Sequence, residues 1–359
     1  NDSFRQLITE FRPYGPMVMP FFSNLLPEGR MRDYLAERAG VNPEREFFLL
    51  WALGSDLPGA ITIRPVDGDE LPPMIGNNVD HNHDDDRGKK VLRFSLAGVQ
   101  VKFSAIIESK KDLTIPARGV GGSWIVKLPS REYEGVPENE YSMMTLARQI
   151  GMDVPAIDLV DVSSIQNLPP EIETLEGQAF IIERFDRLDD GSAIHIEDFG
   201  QIFGIYPHDK YKNANYANIG EVVAAESSHD DIAEFIRRLT FNTLIGNADM
   251  HVKNWSMRYL DRRNAVLAPA YDFVATIAYL PDEAAALNFS RKKRFDEFTE
   301  DELAHMANRA AMPKSLVLDT AKETVELFHQ YWNSEKTNLP LRAEVIEAVE
   351  AHVKKIPLT

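Results

Sequence analysis

The chain contains no cysteine, so disulfides, zinc ribbons, iron–sulfur ligation and a cysteine nucleophile are all excluded. No stretch approaches the roughly 18 consecutive apolar residues of a membrane span. The N-terminus, from Asn1, has neither the basic nor the apolar region of a signal peptide. It also lacks an initiator Met, which leaves room for residues upstream. The expectation is a soluble, cytoplasmic protein with no membrane partner. Basic charge is scarce: 39 Lys and Arg stand against 56 Asp and Glu, a net charge of −17. Such a surface repels phosphate backbones, so the chain is not expected to grip nucleic acid through its average field, which leaves a local basic patch or a basic partner to do it. There is no G-x-x-x-x-G-K-[ST], which disfavours a P-loop ATPase. What is present suits a globular protein: 359 residues, 44% hydrophobic and 26% charged, enough for two or three folding units.

Residues 1–66 mix apolar pieces (Phe21, Phe22, Leu25, Leu26; Phe47 to Leu53) with Pro and Gly, and predict a helix over Met31–Ala39 and a strand over Ala60–Ile63. Residues 67–90 carry charge without apolar period and read as a linker. Over 91–187 the texture becomes strand-like. Val91–Leu96 and Val101–Ile107 flank a small-residue tip, Trp124–Leu128 and Gln178–Glu183 are apolar strands, and Glu138–Gly151 reads as an inserted helix with Gly151 as its stop. Residues 188–359 turn helical. Ile232 to Leu244 keeps one apolar face and ends at Gly246, a hairpin joins Trp255–Tyr259 to Val266–Ala270, and Thr299-x-x-Glu302 has the form of a capping box.

The sharpest chemical signal is Asn247-Ala248-Asp249-Met250-His251-Val252-Lys253-Asn254, directly after a glycine-ended helix. Asp249 and Asn254 have the spacing of a kinase catalytic loop, where the Asp accepts the substrate hydroxyl proton and the Asn holds a metal ion. Asp272 closes a strand eighteen residues beyond Asn254, the place for a second metal carboxylate. Taken alone, such an Asp–Asn pair more often simply forms turns. The upstream order adds weight. A tip at Ala97-Gly98-Val99-Gln100-Val101-Lys102 can cover phosphates, and Lys127 sits mid-strand where lysine is rare without a partner. Glu138 and Glu140 on the next helix are ion-pair candidates for it, and Glu183-Arg184-Phe185 ends an apolar strand where a hinge would offer backbone groups to adenine.

Phe21-Phe22-Ser23-Asn24-Leu25-Leu26-Pro27-Glu28-Gly29, Phe94 to Lys102, Ile182 to Arg187 and Asn247 to Asn254 together resemble the HipA family, bacterial toxin-type serine/threonine kinases of toxin–antitoxin systems. The resemblance implies an α+β, bilobal, protein-kinase-like (PI3-kinase-like) fold, with a mixed or antiparallel sheet in the N-lobe and a mostly helical C-lobe. It implies ATP with Mg2+, an aminoacyl-tRNA synthetase as protein substrate, and a helix-turn-helix antitoxin that supplies the DNA contact. By resemblance Asp249 is the catalytic base, Asn254 and Asp272 are magnesium ligands, and Lys127 binds phosphate. Glu183, Arg184 and Phe185 form the hinge, His251, Lys253 and Tyr271 are nucleotide-site residues, and Ser95 is an autophosphorylation site. The family's N-terminal subdomain is usually longer, so either this chain is trimmed or a separate small N-terminal-subdomain protein completes it. Val101 stands where relatives commonly carry an acidic or small polar residue.

Other clusters have more than one reading. His81-Asn82-His83 with Asp84 to Asp86 offers metal-ligand types, but in a linker with nothing to fix their geometry. His195, Glu197 and Asp198 can line a substrate cleft or cap a helix, and Arg291 to Arg294 is a basic run that can meet phosphate or simply be solvated. Two further functions compete with an active toxin kinase. One is a catalytically weak kinase-fold binding module that sequesters an antitoxin and co-regulates its operon. The other is a small-molecule kinase, which shares the Asp–Asn spacing but not the other motifs.

Overall fold

In the computed structural model, the structure describes residues 15–64, 66, 102–107, 113–115, 122–168, 175–188, 190–280 and 284–358. The predicted strand Val91–Leu96, the tip Ala97 to Val101, Ser95 and the His81–Asp86 cluster lie outside the described residues.

Three short helices open the described chain: α1 (Pro20–Ser23), α2 (Gly29–Ala39) and α3 (Glu46–Leu53). They close on an apolar cluster that includes Leu25, Leu26, Leu49 and Leu57. Buried Glu46 ties them together, accepting from Ser23 Oγ at 2.8 Å, the Val18 amide at 3.0 Å and Arg32 Nη1 at 3.3 Å. The expected strand at Ala60–Ile63 does not form. Its alternation places Ile61 and Ile63 on the helical cluster, and Ile63 N–H bonds the Gly54 carbonyl at 2.8 Å.

The next elements are β1 (Lys102–Ile107), β2 (Leu113–Thr114), β3 (Trp124–Lys127), α4 (Val136–Gln149), β4 (Ile157–Asp161), β5 (Ile165–Gln166) and β6 (Gln178–Glu183). Among the described residues they form a mixed sheet in the order β4-β6-β3-β1-β2-β5, with only the β2–β5 pair parallel. β3 is interior, so Val126 is fully buried and the strand reads as a continuous apolar run around one charge. α4 begins two residues earlier than predicted, because Pro137 suits a first turn in which its missing N–H is not needed. It stops as expected at Gly151, whose φ is 95°.

The remaining body contains β7 (His195–Asp198), α5 (Phe199–Phe203), α6 (Tyr216–Glu226), α7 (His229–Leu244), β8 (Ser256–Tyr259), β9 (Val266–Leu267), α8 (Glu300–Arg309), α9 (Lys314–Glu335) and α10 (Ala343–Val353). The predicted hairpin β8–β9 gains a third strand, β7, which the sequence does not signal because His195-Ile196-Glu197-Asp198 is short and polar. α7 is capped by Ser228, whose hydroxyl accepts from the Asp231 amide at 3.2 Å. Its apolar face packs on α9 in the largest core. The capping box at Thr299 is only half made. Thr299 accepts from the Glu302 amide, but the Glu302 carboxylate turns away to accept from the amides of Ser290, Arg291 and Lys292 at 2.6–3.0 Å. This architecture, a sheet-rich lobe joined to a helical lobe, is the α+β kinase-like fold expected from the sequence.

Gly246 ends α7 at φ 66°, and a Cβ there would lie 2.8 Å from the Ile277 side chain. Gly246→Ala should therefore cost about 2 kcal/mol or more, from left-handed backbone strain and overpacking together. A lowered urea midpoint is the expected result; an unchanged midpoint would mean that the loop relaxes freely.

Candidate active site

The β1–β3 register sets Lys102 directly opposite Lys127, on one face of the sheet. Like charges in such a pair repel. Two carboxylates resolve this. Lys127 Nζ bonds both Glu140 Oε1, from α4, and Asp272 Oδ1, while Lys102 Nζ lies 3.3 Å from Asp272 Oδ2. Glu140 and not Glu138 is therefore the helix partner of Lys127. Burial works against the charge of Lys127, but Asp272 and Glu140 more than offset it and raise its pKa. Burial favours the neutral acid at Asp272, yet Lys102 and Lys127 hold its carboxyl well below the ordinary range. Glu140 shares its lysine with Asp272, and burial pushes its pKa up. Its Oε2 is buried with no hydrogen-bond partner.

Asp272 has φ 59°, in the left-handed region that Asp tolerates better than most residues. Side chains of the helix-ending segment fix this turn. Asn247 Nδ2 donates to Asn242 Oδ1 at 2.8 Å and to the Asp272 carbonyl at 3.2 Å. Thr276 Oγ1 accepts from the Ala248 amide at 2.8 Å and donates to the Gly246 carbonyl at 3.0 Å. Within the Asp–Asn loop, Asn254 Nδ2 donates to the Asp249 carbonyl at 2.9 Å, and the Tyr211 hydroxyl donates to Asp249 Oδ1. Lys102, Lys127, Glu140, Asp249, Asn254 and Asp272 then line one small cavity of about 20 Å3.

A larger cavity of about 430 Å3 adjoins it, reached by Lys102, Lys127 and Asp272 and bounded by Ile182 to Asp186, Lys253 and Tyr271. The sheet ends in the predicted hinge segment, where the Glu183 amide bonds the Ala156 carbonyl at 2.8 Å and the Arg184 amide bonds the Ser123 carbonyl at 2.7 Å. Phe185 and Tyr271 rings lie 5.7 Å apart, and the Tyr271 hydroxyl sits 2.5 Å from Ser256 Oγ. Arg184 does not project into solvent: its guanidinium is fixed on the Asp186 carboxylate at 2.9 and 3.0 Å. Lys253 lines the cavity, but its ammonium is held by the Asn24 carbonyl at 2.8 Å, Asn24 Oδ1 at 3.0 Å and Asp198 Oδ2 at 3.2 Å. Asp198 also caps α5 through the Gln201 amide, and it lines the larger cavity as well, so the cap read for the His195–Asp198 cluster forms without removing Asp198 from the cleft. His251 is buried with neither ring nitrogen hydrogen-bonded, its ring centroid 5.0 Å from that of Tyr211 in an edge-on arrangement. Burial, with Lys210 and Lys253 nearby, keeps it neutral.

Tyr211 and Thr276 escape a reading of the sequence, because they carry no local motif; Asn247, Asn24 and Glu28 stand in motifs of the resemblance, but only the fold shows what they touch. The basic run Arg291 to Arg294 stays at the surface with its charges matched: Arg291 pairs with Asp301 and Glu302, Lys292 with Glu297, and Arg294 with Asp296. No helix of the described residues is long and apolar enough to cross a membrane. Among the described residues there is no group of three or more His, Asp or Glu side chains of metal-site form.

The chain is similar to known proteins. A family model described as HipA-like C-terminal domain matches residues 94–332, and one described as HipA N-terminal domain matches residues 6–64. Y4dM of Sinorhizobium fredii is 55% identical over 365 residues, covering 99% of this chain and 87% of that protein. The serine/threonine-protein kinase toxin HipA of Shewanella oneidensis is 27% identical over 335 residues, covering 84% of this chain and 73% of that protein. In a solved complex of Shewanella oneidensis HipA with HipB and its operator DNA, a chain aligns with a TM-score of 0.72 at 23% identity, covering 94% of this chain and 83% of that one.

Lys127 supports the buried carboxylate of Glu140 and the half-buried one of Asp272, so Lys127→Met should lower stability by about 3–5 kcal/mol in urea unfolding. Adding Glu140→Leu removes the stranded charge and should return much of that loss. Additive losses in the double variant would show that the pair is not coupled.

Proposed function

The chain belongs to the HipA family, and from that premise we propose that it is an ATP-dependent serine/threonine protein kinase, the toxin of a bacterial toxin–antitoxin system. The observation that carries this reading is the convergence of Asp249, Asn254, Asp272 and Lys127 on one small cavity beside the larger one at the hinge.

In this reading Asp249 accepts the proton of the substrate hydroxyl, and Tyr211 holds its carboxylate until then. Lys127 and Lys102 meet the phosphates of ATP as the cationic pair whose charge Asp272 and Glu140 balance in the resting site. Asn254, through its Oδ1, and Asp272 would hold Mg2+, which when bound neutralises charge on the phosphates. The donor set fits: one carboxylate and one amide oxygen leave room for waters and phosphate oxygens, as magnesium prefers. Two unbonded nitrogens on buried His251 are polar atoms in want of a partner beside this site. Ala97 to Lys102 would cover the phosphates, the backbones of Glu183 and Phe185 would take the base, and Arg184 and Tyr271 would support it. An aminoacyl-tRNA synthetase is the proposed protein substrate. A helix-turn-helix antitoxin is the proposed partner, contacting DNA on behalf of this acidic chain.

Incubation with radiolabelled ATP and a cell lysate, followed by identification of the labelled protein, tests the reading. Labelling of a synthetase is expected; labelling of small molecules alone would replace it with a metabolite kinase. Asp249→Asn should lower transfer by about 10²–10⁴-fold with the fold intact, since the nucleophile loses its proton acceptor. Wild-type labelling by this variant would remove Asp249 from the base role. Asp272→Ala should weaken magnesium-dependent ATP binding on the order of 10–100-fold, as for other lost metal-site partners. Unchanged affinity in a titration would place the metal elsewhere. Ser95 is the proposed autophosphorylation site, where about −1.5 to −2 charges would repel ATP. Intact mass should show a phosphate on the wild type that is absent from Ser95→Ala and from Asp249→Asn; a phosphate persisting on Ser95→Ala would exclude that serine.

A further inference from the structure

The N-terminal unit, residues 15–64, grips the kinase-like body on both sides of the 430 Å3 cavity. On the helical side, Asn24 Nδ2 donates to the Ile205 carbonyl at 2.7 Å, and Gln201 Nε2 donates to the Phe21 carbonyl at 3.2 Å. Glu28 stands 2.8 Å from Lys210 and 3.5 Å from Lys253, a residue of the Asp–Asn loop itself. Those two lysines hold the Glu28 carboxyl at about 2, although burial works in the opposite direction. On the hinge side, the Asp56 carboxylate takes Arg187 at 2.7 Å and Arg184 at 3.4 Å, and the Gly59 amide donates to Asp186 Oδ2 at 2.7 Å. Arg187 also donates to the Leu57 and Gly59 carbonyls, both at 2.9 Å. Between these two anchors, Leu26, Pro27, Met31 and Leu57 line the cavity across from Phe185 and Tyr271.

Lys253 has three protons, yet four oxygens lie around its ammonium: two of Asn24, one of Asp198 and one of Glu28. A lysine so enclosed ties its loop to its surroundings. The cluster of Glu28 and Asp198 with Lys210 and Lys253 is balanced in charge, so removing one carboxylate leaves a buried excess of positive charge beside the loop that carries Asp249. The apolar residues of this unit suit one face of a flat heteroaromatic ring.

We infer that the N-terminal unit is the third wall of the nucleotide cavity, in contact with the base and ribose end of a purine nucleoside triphosphate, and that Glu28 and Asp56 are positioning residues that hold the Asp–Asn loop and the hinge. This inference rests on the kinase reading and extends it: nucleotide binding depends on residues outside the two lobes.

Hydrogen exchange on the full chain, with and without magnesium and the non-hydrolysable analogue AMP-PNP, decides it. Peptides covering 24–31 and 56–59 should gain protection at the same analogue concentration as peptides covering 182–187. Protection restricted to the hinge and the Asp–Asn loop overturns the third wall while leaving the kinase reading in place. No protection anywhere overturns the kinase reading, and this inference falls with it. In Glu28→Gln, exchange at 247–254 without nucleotide should quicken at least tenfold and analogue affinity should fall at least tenfold, with Glu28→Asp recovering part of both. Wild-type loop exchange and affinity in Glu28→Gln would remove Glu28 from the positioning role. If that variant does not fold, the protection pattern of the wild type still decides for or against the wall.

Discussion

Two lysines facing each other across adjacent antiparallel strands are the constraint on which the centre of the molecule depends. Lys102 and Lys127 cannot share one face of the sheet at this register unless anions meet them there. The anions come from two different places: Glu140 from the helix packed on the sheet, and Asp272 from the far lobe. Removing charges from water is costly, and mutual attraction compensates only when the geometry is good. The sheet register, the docking of α4 and the closure of the lobes are therefore coupled through four side chains. Asp272 keeps an unusual backbone for the sake of this arrangement, fixed by Asn247 from the adjoining loop.

Much of this is legible in the sequence where the causes are local. A lysine between Trp124 and Leu128 in an apolar strand announces a partner, and a helix of regular apolar period ending in Gly246 announces the loop that follows. The Asp249–Asn254 spacing survives any error in element boundaries. What cannot be read depends on contacts far apart in the chain. Glu28 and Asn24 stand in a motif of the family resemblance, but nothing local shows that Lys210 and Lys253 will lie beside them. β7 is too short and too polar to show a strand period, and it exists because β8 offers it an edge. Ala60 to Ile63 has the alternation of a strand but finds no edge, and its isoleucines are absorbed by the neighbouring helices.

Glu302 shows how one residue can satisfy a sequence rule and then act otherwise. Its place three residues after Thr299 is that of a capping-box acid, yet its buried carboxylate gathers three successive amides of the segment 290–292. That segment begins the basic run, so the same contact that shapes the turn draws Arg291 onto Glu302 as well. Arg291, Lys292 and Arg294, which suggest a phosphate-binding patch, are matched by acids further along the chain, between positions 296 and 302, consistent with the acidic balance of the whole chain.

The grip of the N-terminal unit sets the order in which the molecule can be completed. Glu28 lies 182 residues before Lys210, and Asn24 lies 229 before Lys253. Chains emerge from the ribosome at about 5–20 residues per second, so the first helices wait on the order of ten seconds or more for these partners. Until then Glu28 and Asp56 lack the basic groups they meet in the finished fold, and the strands carrying the two lysines have no Asp272 to hold their charges apart. The N-terminal unit therefore docks only after residues far along the chain have been made. A nascent chain stopped anywhere before residue 272 lacks the acid that joins the lobes, and with it a residue that lines both cavities.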